Sequence, residues 1–120
     1  MILGEDPTRV KKRIAIKLNV YDLVGYNAQW LGLGAFHSAV EFEGEEWAYG
    51  KHDRSTTGVW KCRPRQATQF KYRCTIAMGS VFMSTRELQA ILSMQKALFI
   101  GNEYSLTGRN CNHFTERCFA

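Results

Sequence analysis

Ala35-Phe36-His37-Ser38-Ala39-Val40-Glu41-Phe42-Glu43-Gly44-Glu45-Glu46-Trp47-Ala48-Tyr49-Gly50 reads as two strands, Ala35 to Glu43 and Glu45 to Gly50, joined at Glu43-Gly44. Runs of β-branched and aromatic residues on either side of a Gly-bearing pair are the sequence form of a β-hairpin. Upstream, Ile14, Ile16, Leu18 and Val20 alternate with Ala15, Lys17, Asn19 and Tyr21. That period of two predicts a third, half-buried strand. Between them, Asp22 to Gly34 carries three glycines together with Tyr26 and Trp30, and reads as a long loop.

Downstream of the hairpin the chain turns polar from Lys51 to Lys71, with a short strand at Val59 to Cys62 and a break at Pro64. Lys71 to Ala77 alternates as a further strand. Ser84-Thr85-Arg86-Glu87 is a capping box, and the helix that it opens carries Leu88, Ile91, Leu92, Leu98 and Phe99 on one side before Gly101-Asn102 ends it. After a connector at Tyr104 to Gly108, Asn110 is placed to cap a final short helix whose Cys111, Phe114 and Cys118 share a face. Residues 1–12 read as a flexible lead-in and residues 13–120 as the domain.

At 120 residues there is room for one core and not for two. The apolar share of 45% and charged share of 22% are those of an ordinary globular protein, which argues against disorder. No run approaches the roughly 18 apolar residues of a membrane span, and Met1 to Pro7 lacks the apolar core of a signal peptide. These readings place the chain in the cytoplasm, with the nucleus as a second compartment. There the cysteines at 62, 74, 111 and 118 are expected to be free thiols. Zinc is their competing use, but no C-x-x-C is present, and neither a metal nor a cofactor is expected. The net charge of +5 gathers at Arg9, Lys11, Lys12 and Arg13 and across Lys61, Arg63, Arg65, Lys71 and Arg73. Without an aromatic platform or a recognition helix, this is a solvated basic face suited to an acidic partner, and not a nucleic-acid interface.

Cys111 is the residue placed for chemistry. A thiol at a helix N-terminus feels about half a positive charge and unpaired N–H groups, so it ionises more readily and becomes a nucleophile. Its base must come from elsewhere. His113 stands two residues along the same helix, about 200° around it, and is expected to be structural. His52 lies in the polar turn Gly50-Lys51-His52-Asp53, which offers little fixed orientation. His37, on a strand, is the remaining candidate. Adjacent strand residues point to opposite faces, so if His37 faces the site Ser38 faces away, which excludes a serine nucleophile activated by its neighbour. The N–H of Cys111 is the natural oxyanion donor, with Asn110, Asn112 and Tyr21 as side-chain candidates.

Leu18-Asn19-Val20-Tyr21-Asp22-Leu23, Gly32-Leu33-Gly34-Ala35-Phe36-His37-Ser38-Ala39-Val40-Glu41, Trp47-Ala48-Tyr49-Gly50 and Asn110-Cys111-Asn112-His113-Phe114, in this order, resemble the PPPDE superfamily, which includes the DeSI desumoylating isopeptidases. The G-x-G-x-F-H-S-x-V-E form is closer to the second, ubiquitin-directed DeSI branch. The resemblance implies a circularly permuted papain-like fold, with His before Cys in the chain and the nucleophile at the start of the last helix. It also implies an α+β domain with a small antiparallel sheet packed against helices, a Cys111–His37 dyad, and substrates that are conjugates of ubiquitin or SUMO; a homodimer is a separate expectation. By the same comparison the domain is truncated at its C-terminus, and residues 52–71 are not a clear match. Two other functions fit the residues, an acyl-protein thioesterase or lecithin:retinol acyltransferase-like enzyme and a non-catalytic binding module; a nucleic-acid binder is the third alternative, against which the missing aromatic platform counts.

Overall fold

A computed structural model of the chain describes residues 6–22, 36–68, 70–103 and 111–119. Five strands, β1 (Lys12–Asp22), β2 (Phe36–Phe42), β3 (Glu45–Tyr49), β4 (Val59–Cys62) and β5 (Lys71–Met83), form one sheet in the order β4-β3-β2-β1-β5. Every pairing is antiparallel. Two helices follow, α1 (Thr85–Leu98) and α2 (Cys111–Phe119). The α+β fold implied by the resemblance is the fold observed, with the cysteine as the first residue of the last described helix. The loop expected at 22–34 lies outside the described residues beyond Asp22, as does Asn110.

The hairpin turns where Glu43-Gly44 predicted. Glu43 (φ 52°) and Gly44 (φ 76°) both occupy the left-handed region, as a two-residue turn matched to strand twist requires. Phe42 and Glu45 close the ladder, and Glu41 faces Glu46 one step further in. β2 is thus the middle strand, flanked by β1 and β3.

β5 runs six residues past the expected end at Ala77. Its alternation breaks at Gly79, which has φ 88°, where the register with β1 shifts between Ala15 and Lys17. A bulge there lets the strand continue to Met83 although the periodic signal stops. The first strand also starts early, at Lys12, so the lead-in is shorter than read. Ahead of it Pro7–Arg9 forms a 3-10 turn, capped by Asp6 and joined to α1 by an Arg86–Asp6 ion pair of 3.7 Å.

The sheet has two different faces. Ile14, Ile16, Val40, Tyr49 and Val59 pack under the helices against Leu88, Leu92, Phe99 and Phe114. Tyr21, Ala39 and Ala48 lie on the other face beneath Ala67, Trp60, Cys62 and Phe70. Ser84 caps α1, its Oγ accepting from the Glu87 N–H at 3.1 Å. The buried stripe of that helix runs Leu88, Leu92, Gln95 and onward to Phe99, so Leu98, expected in the core, is 44% exposed. Spacings of four, three and four residues follow the 3.6-residue turn, and position 98 falls off it.

Candidate active site

Cys111 opens α2, so its thiol stands at the positive end of a nine-residue helix. It is 5% exposed and not disulfide-bonded. The helix packs against β2 through the residue that the sequence reading turned away from the site. Ser38 donates from Oγ to Asn112 Oδ1 at 2.6 Å and lies 2.8 Å from Thr115 Oγ1. Asn112 donates from Nδ2 to the Phe36 carbonyl at 3.2 Å, so one amide bridges both sides of His37 in the chain. The same Oδ1 faces the Cys111 thiol at 3.9 Å, a long and weak contact.

His37 points to the other face of β2. Its ring lies flat against Phe70, with centroids 4.1 Å apart, and it is flanked by Trp60 at 6.3 Å and Tyr21 at 5.6 Å. At 2% exposure, burial pushes its pKa down to about 4, which leaves the imidazole neutral at physiological pH. Among the described residues Nε2 has no hydrogen-bond partner. Among the described contacts none joins this ring to the Cys111 sulfur. The pleat therefore separates His37 and Ser38 as expected, but with Ser38 on the α2 side.

The remaining candidates divide. His52, read as loosely held, is fixed at both nitrogens: Nε2 lies 2.8 Å from the Thr57 carbonyl and Nδ1 accepts from the Arg54 N–H at 3.1 Å. It also lies against Gly101, where any Cβ would collide with its ring. The side chain of His113 lies outside the described residues. Tyr21, a candidate oxyanion donor, already donates its single hydroxyl proton to Glu46, 2.8 Å from Oε1 and 2.7 Å from Oε2. Desolvation and that carboxylate hold the phenol well above its ordinary pKa.

Glu46 is the residue that sequence reasoning missed. It is 1% exposed and accepts from Tyr21, from Asn19 Nδ2 at 2.7 Å and from the Arg65 N–H at 2.9 Å, with the Cys62 thiol at 3.4 Å. Asn19 also donates to Glu41 at 2.9 Å, and Thr75 donates to Asn19 Oδ1 at 2.7 Å. Lys17 (3.7 Å) and Arg65 (3.9 Å) supply the counter-charges beside Glu41. The network ties all five strands of the sheet and the segment after β4 together beside His37. Two glutamates facing one another across a hairpin were its only trace in the sequence.

Among the described residues, no group of three or more His, Cys, Asp or Glu side chains is placed to hold a metal. No described helix is long and apolar enough to cross a membrane. Burial pushes the Cys62 and Cys118 thiols up to about 12, the Glu46 carboxylate adding to the effect at Cys62.

A small antiparallel sheet, with a cysteine starting the closing helix against its middle strand and a histidine earlier on that strand, is the layout of a permuted papain-like thiol peptidase. The sequence matches the model of the "PPPDE putative peptidase domain" over residues 14–120, and the chain belongs to that family. A DeSI-like protein of Arabidopsis thaliana is 37% identical over 103 residues, covering 84% of this chain and 46% of the relative. A desumoylating isopeptidase 1 homolog of Caenorhabditis elegans is 35% identical over 111 residues, covering 88% and 33%. A DeSI-like protein of Schizosaccharomyces pombe is 38% identical over 107 residues, covering 83% and 53%. The chain spans about half the length of these relatives or less.

Proposed function

We propose that this chain is the catalytic domain of a cysteine isopeptidase that removes a ubiquitin-like modifier, SUMO first among them, from protein conjugates. The observation that carries the reading is Cys111 at the first turn of α2, held against the middle strand by Asn112. Family membership and the name of the nematode relative support the reaction and the modifier. In this reading His37 takes the Cys111 thiol proton as the sulfur attacks the isopeptide carbonyl, the resulting imidazolium gives that proton to the departing lysine amine, and water then releases the acyl group from the sulfur. The Cys111 N–H, with Asn112 beside it, is the oxyanion donor.

For His37 to serve, its ring has to leave the Phe70 face and reach the sulfur. The unpartnered Nε2 favours the move, because a buried nitrogen without a partner costs about 1–3 kcal/mol, and leaving the apolar stack returns the ring toward the ordinary basicity that proton transfer needs. Ubiquitin as the modifier, a homodimer, and residence in the cytoplasm or nucleus belong to the same reading.

The deciding experiment presents SUMO and ubiquitin isopeptide conjugates, and a palmitoyl-cysteine peptide, to the wild type and to Cys111→Ser. Cleavage of a SUMO conjugate that Cys111→Ser abolishes is the expected result. Equal cleavage by the variant overturns the nucleophile, and turnover of the palmitoyl thioester alone makes the domain a thioesterase instead.

A further inference from the structure

The contacts between β2 and α2 assign a role to a residue that no part of the dyad includes. We infer that Ser38 is a positioning residue for the nucleophile: it fixes the Asn112 amide and, through it, the place of Cys111 over β2. The inference rests on Cys111 being the nucleophile.

Ser38 is buried in a sheet face that is otherwise apolar, next to Val40 and Phe42. A hydroxyl there costs free energy unless it is bonded. Its single proton goes to Asn112 Oδ1 at 2.6 Å, the shortest side-chain contact described for α2. Thr115, one turn along, lies 2.8 Å from the same hydroxyl and also reaches the Asn112 carbonyl at 3.0 Å. With the Asn112 Nδ2 bond to the Phe36 carbonyl, the amide is held at both ends and its flip is fixed. Cys111 is the next residue, and its thiol faces the oxygen that Ser38 occupies.

Without the serine hydroxyl, Asn112 Oδ1 loses the bond that ties it to β2. The first turn of α2 is then held less closely over β2, and the Cys111 thiol, which faces that oxygen, shifts with it. Reaction geometry then degrades while the core beneath is untouched, and misplacement on the ångström scale costs on the order of a hundredfold in rate. Threonine keeps the hydroxyl at the same position, while alanine and valine remove it.

The test compares the wild type with Ser38→Ala, Ser38→Thr, Asn112→Ala and the Ser38→Ala/Asn112→Ala double variant, reading Cys111 alkylation by iodoacetamide and turnover of the conjugate cleaved by the wild type. Ser38→Ala is expected to slow alkylation and kcat by roughly tenfold to a hundredfold with KM little changed, and Ser38→Thr to restore most of both. The double variant is expected to be no slower than Asn112→Ala, because Ser38 acts through that amide. Melting temperatures of the variants within a few degrees of the wild type exclude a folding defect. An unchanged Ser38→Ala, a Thr variant as slow as Ala, or fully additive losses overturn the inference. Cys111→Ser retaining turnover would instead overturn the nucleophile itself.

Discussion

The imidazole of His37 lies nearly parallel to the ring of Phe70, with planes inclined by 16° and centroids 4.1 Å apart. Phe70 follows β4 in the chain and His37 sits near the start of β2, so the stack closes the segment after β4 over one end of the sheet. It also keeps the ring in an apolar setting, which decides its protonation.

That setting predicts a pH dependence of stability. The unfolded chain binds a proton at His37 near the ordinary value of 6.5, whereas the folded chain does so only near 4. Stability is therefore full above 6.5, falls as pH drops through it, and the loss from this residue is complete near 4, amounting to about 3 kcal/mol. Urea unfolding at pH 7 and pH 4.5 is expected to show a markedly larger drop for the wild type than for His37→Phe. Equal drops would mean that the ring is solvated.

Glu46 holds donors from Tyr21, Asn19 and Arg65. Glu46→Ala strands the buried Tyr21 hydroxyl and leaves Asn19 Nδ2 with Glu41 alone, and is expected to cost about 1–3 kcal/mol, the penalty of one buried group left unpaired. Glu46→Gln keeps one acceptor but turns an N–H₂ toward those donors, so an intermediate loss is expected. An unfolding free energy for the alanine variant within 0.5 kcal/mol of wild type, a margin on the order of a surface change, would refute the network.

Burial separates the thiols by reactivity. With pKa values pushed to about 12, Cys62 and Cys118 carry on the order of a thousandfold less thiolate at neutral pH than an open cysteine. Iodoacetamide labelling followed by peptide mass spectrometry is expected to find both unmodified at times when an unstructured thiol is fully labelled, and both reactive in urea. Prompt labelling of Cys62 in the folded protein would show that the Glu46 contact is open to solvent.

Gly58 is placed where backbone meets backbone. Its N–H bonds the Phe99 carbonyl at 2.8 Å and its carbonyl receives the Gly50 N–H at 2.9 Å. A Cβ there would collide with the Gly50 carbonyl and sit 2.7 Å from the Tyr49 ring and 2.9 Å from Gly101 Cα. Gly58→Ala is expected to cost about 2 kcal/mol through overpacking and to lower the thermal midpoint. A variant as stable as the wild type would mean that the crossing has slack.

Periodicity made β1, the hairpin and α1 legible, because each buries one stripe against one neighbour. Residues 51–58 were opaque for a physical reason. They are held by long-range backbone bonds, Gly101 N–H to the Thr56 carbonyl (2.9 Å) and Asn102 N–H to the Arg54 carbonyl (3.1 Å), which no local pattern encodes. Gly79 hid the far half of β5 by interrupting its alternation. In the site, helix geometry singled out Cys111, and strand alternation separated His37 from Ser38. Which of the two faces α2 depends on the packing of an element 70 residues away, and alternation carries no information about that. Glu46 was invisible because a strand glutamate usually points to water, and only the donors of three other segments keep it inside.

The place of β2 at the centre of the sheet has a consequence for how the molecule fails. Val40 and Glu41 are paired on both flanks, to β1 and to β3, so their amides exchange with solvent only when the whole sheet comes apart. The helix carrying the sulfur spans nine residues, too few to persist alone in water. If Cys111 is the nucleophile, gentle heating is expected to silence its chemistry by fraying that helix first, at temperatures where spectroscopy of the strands still reports an intact protein.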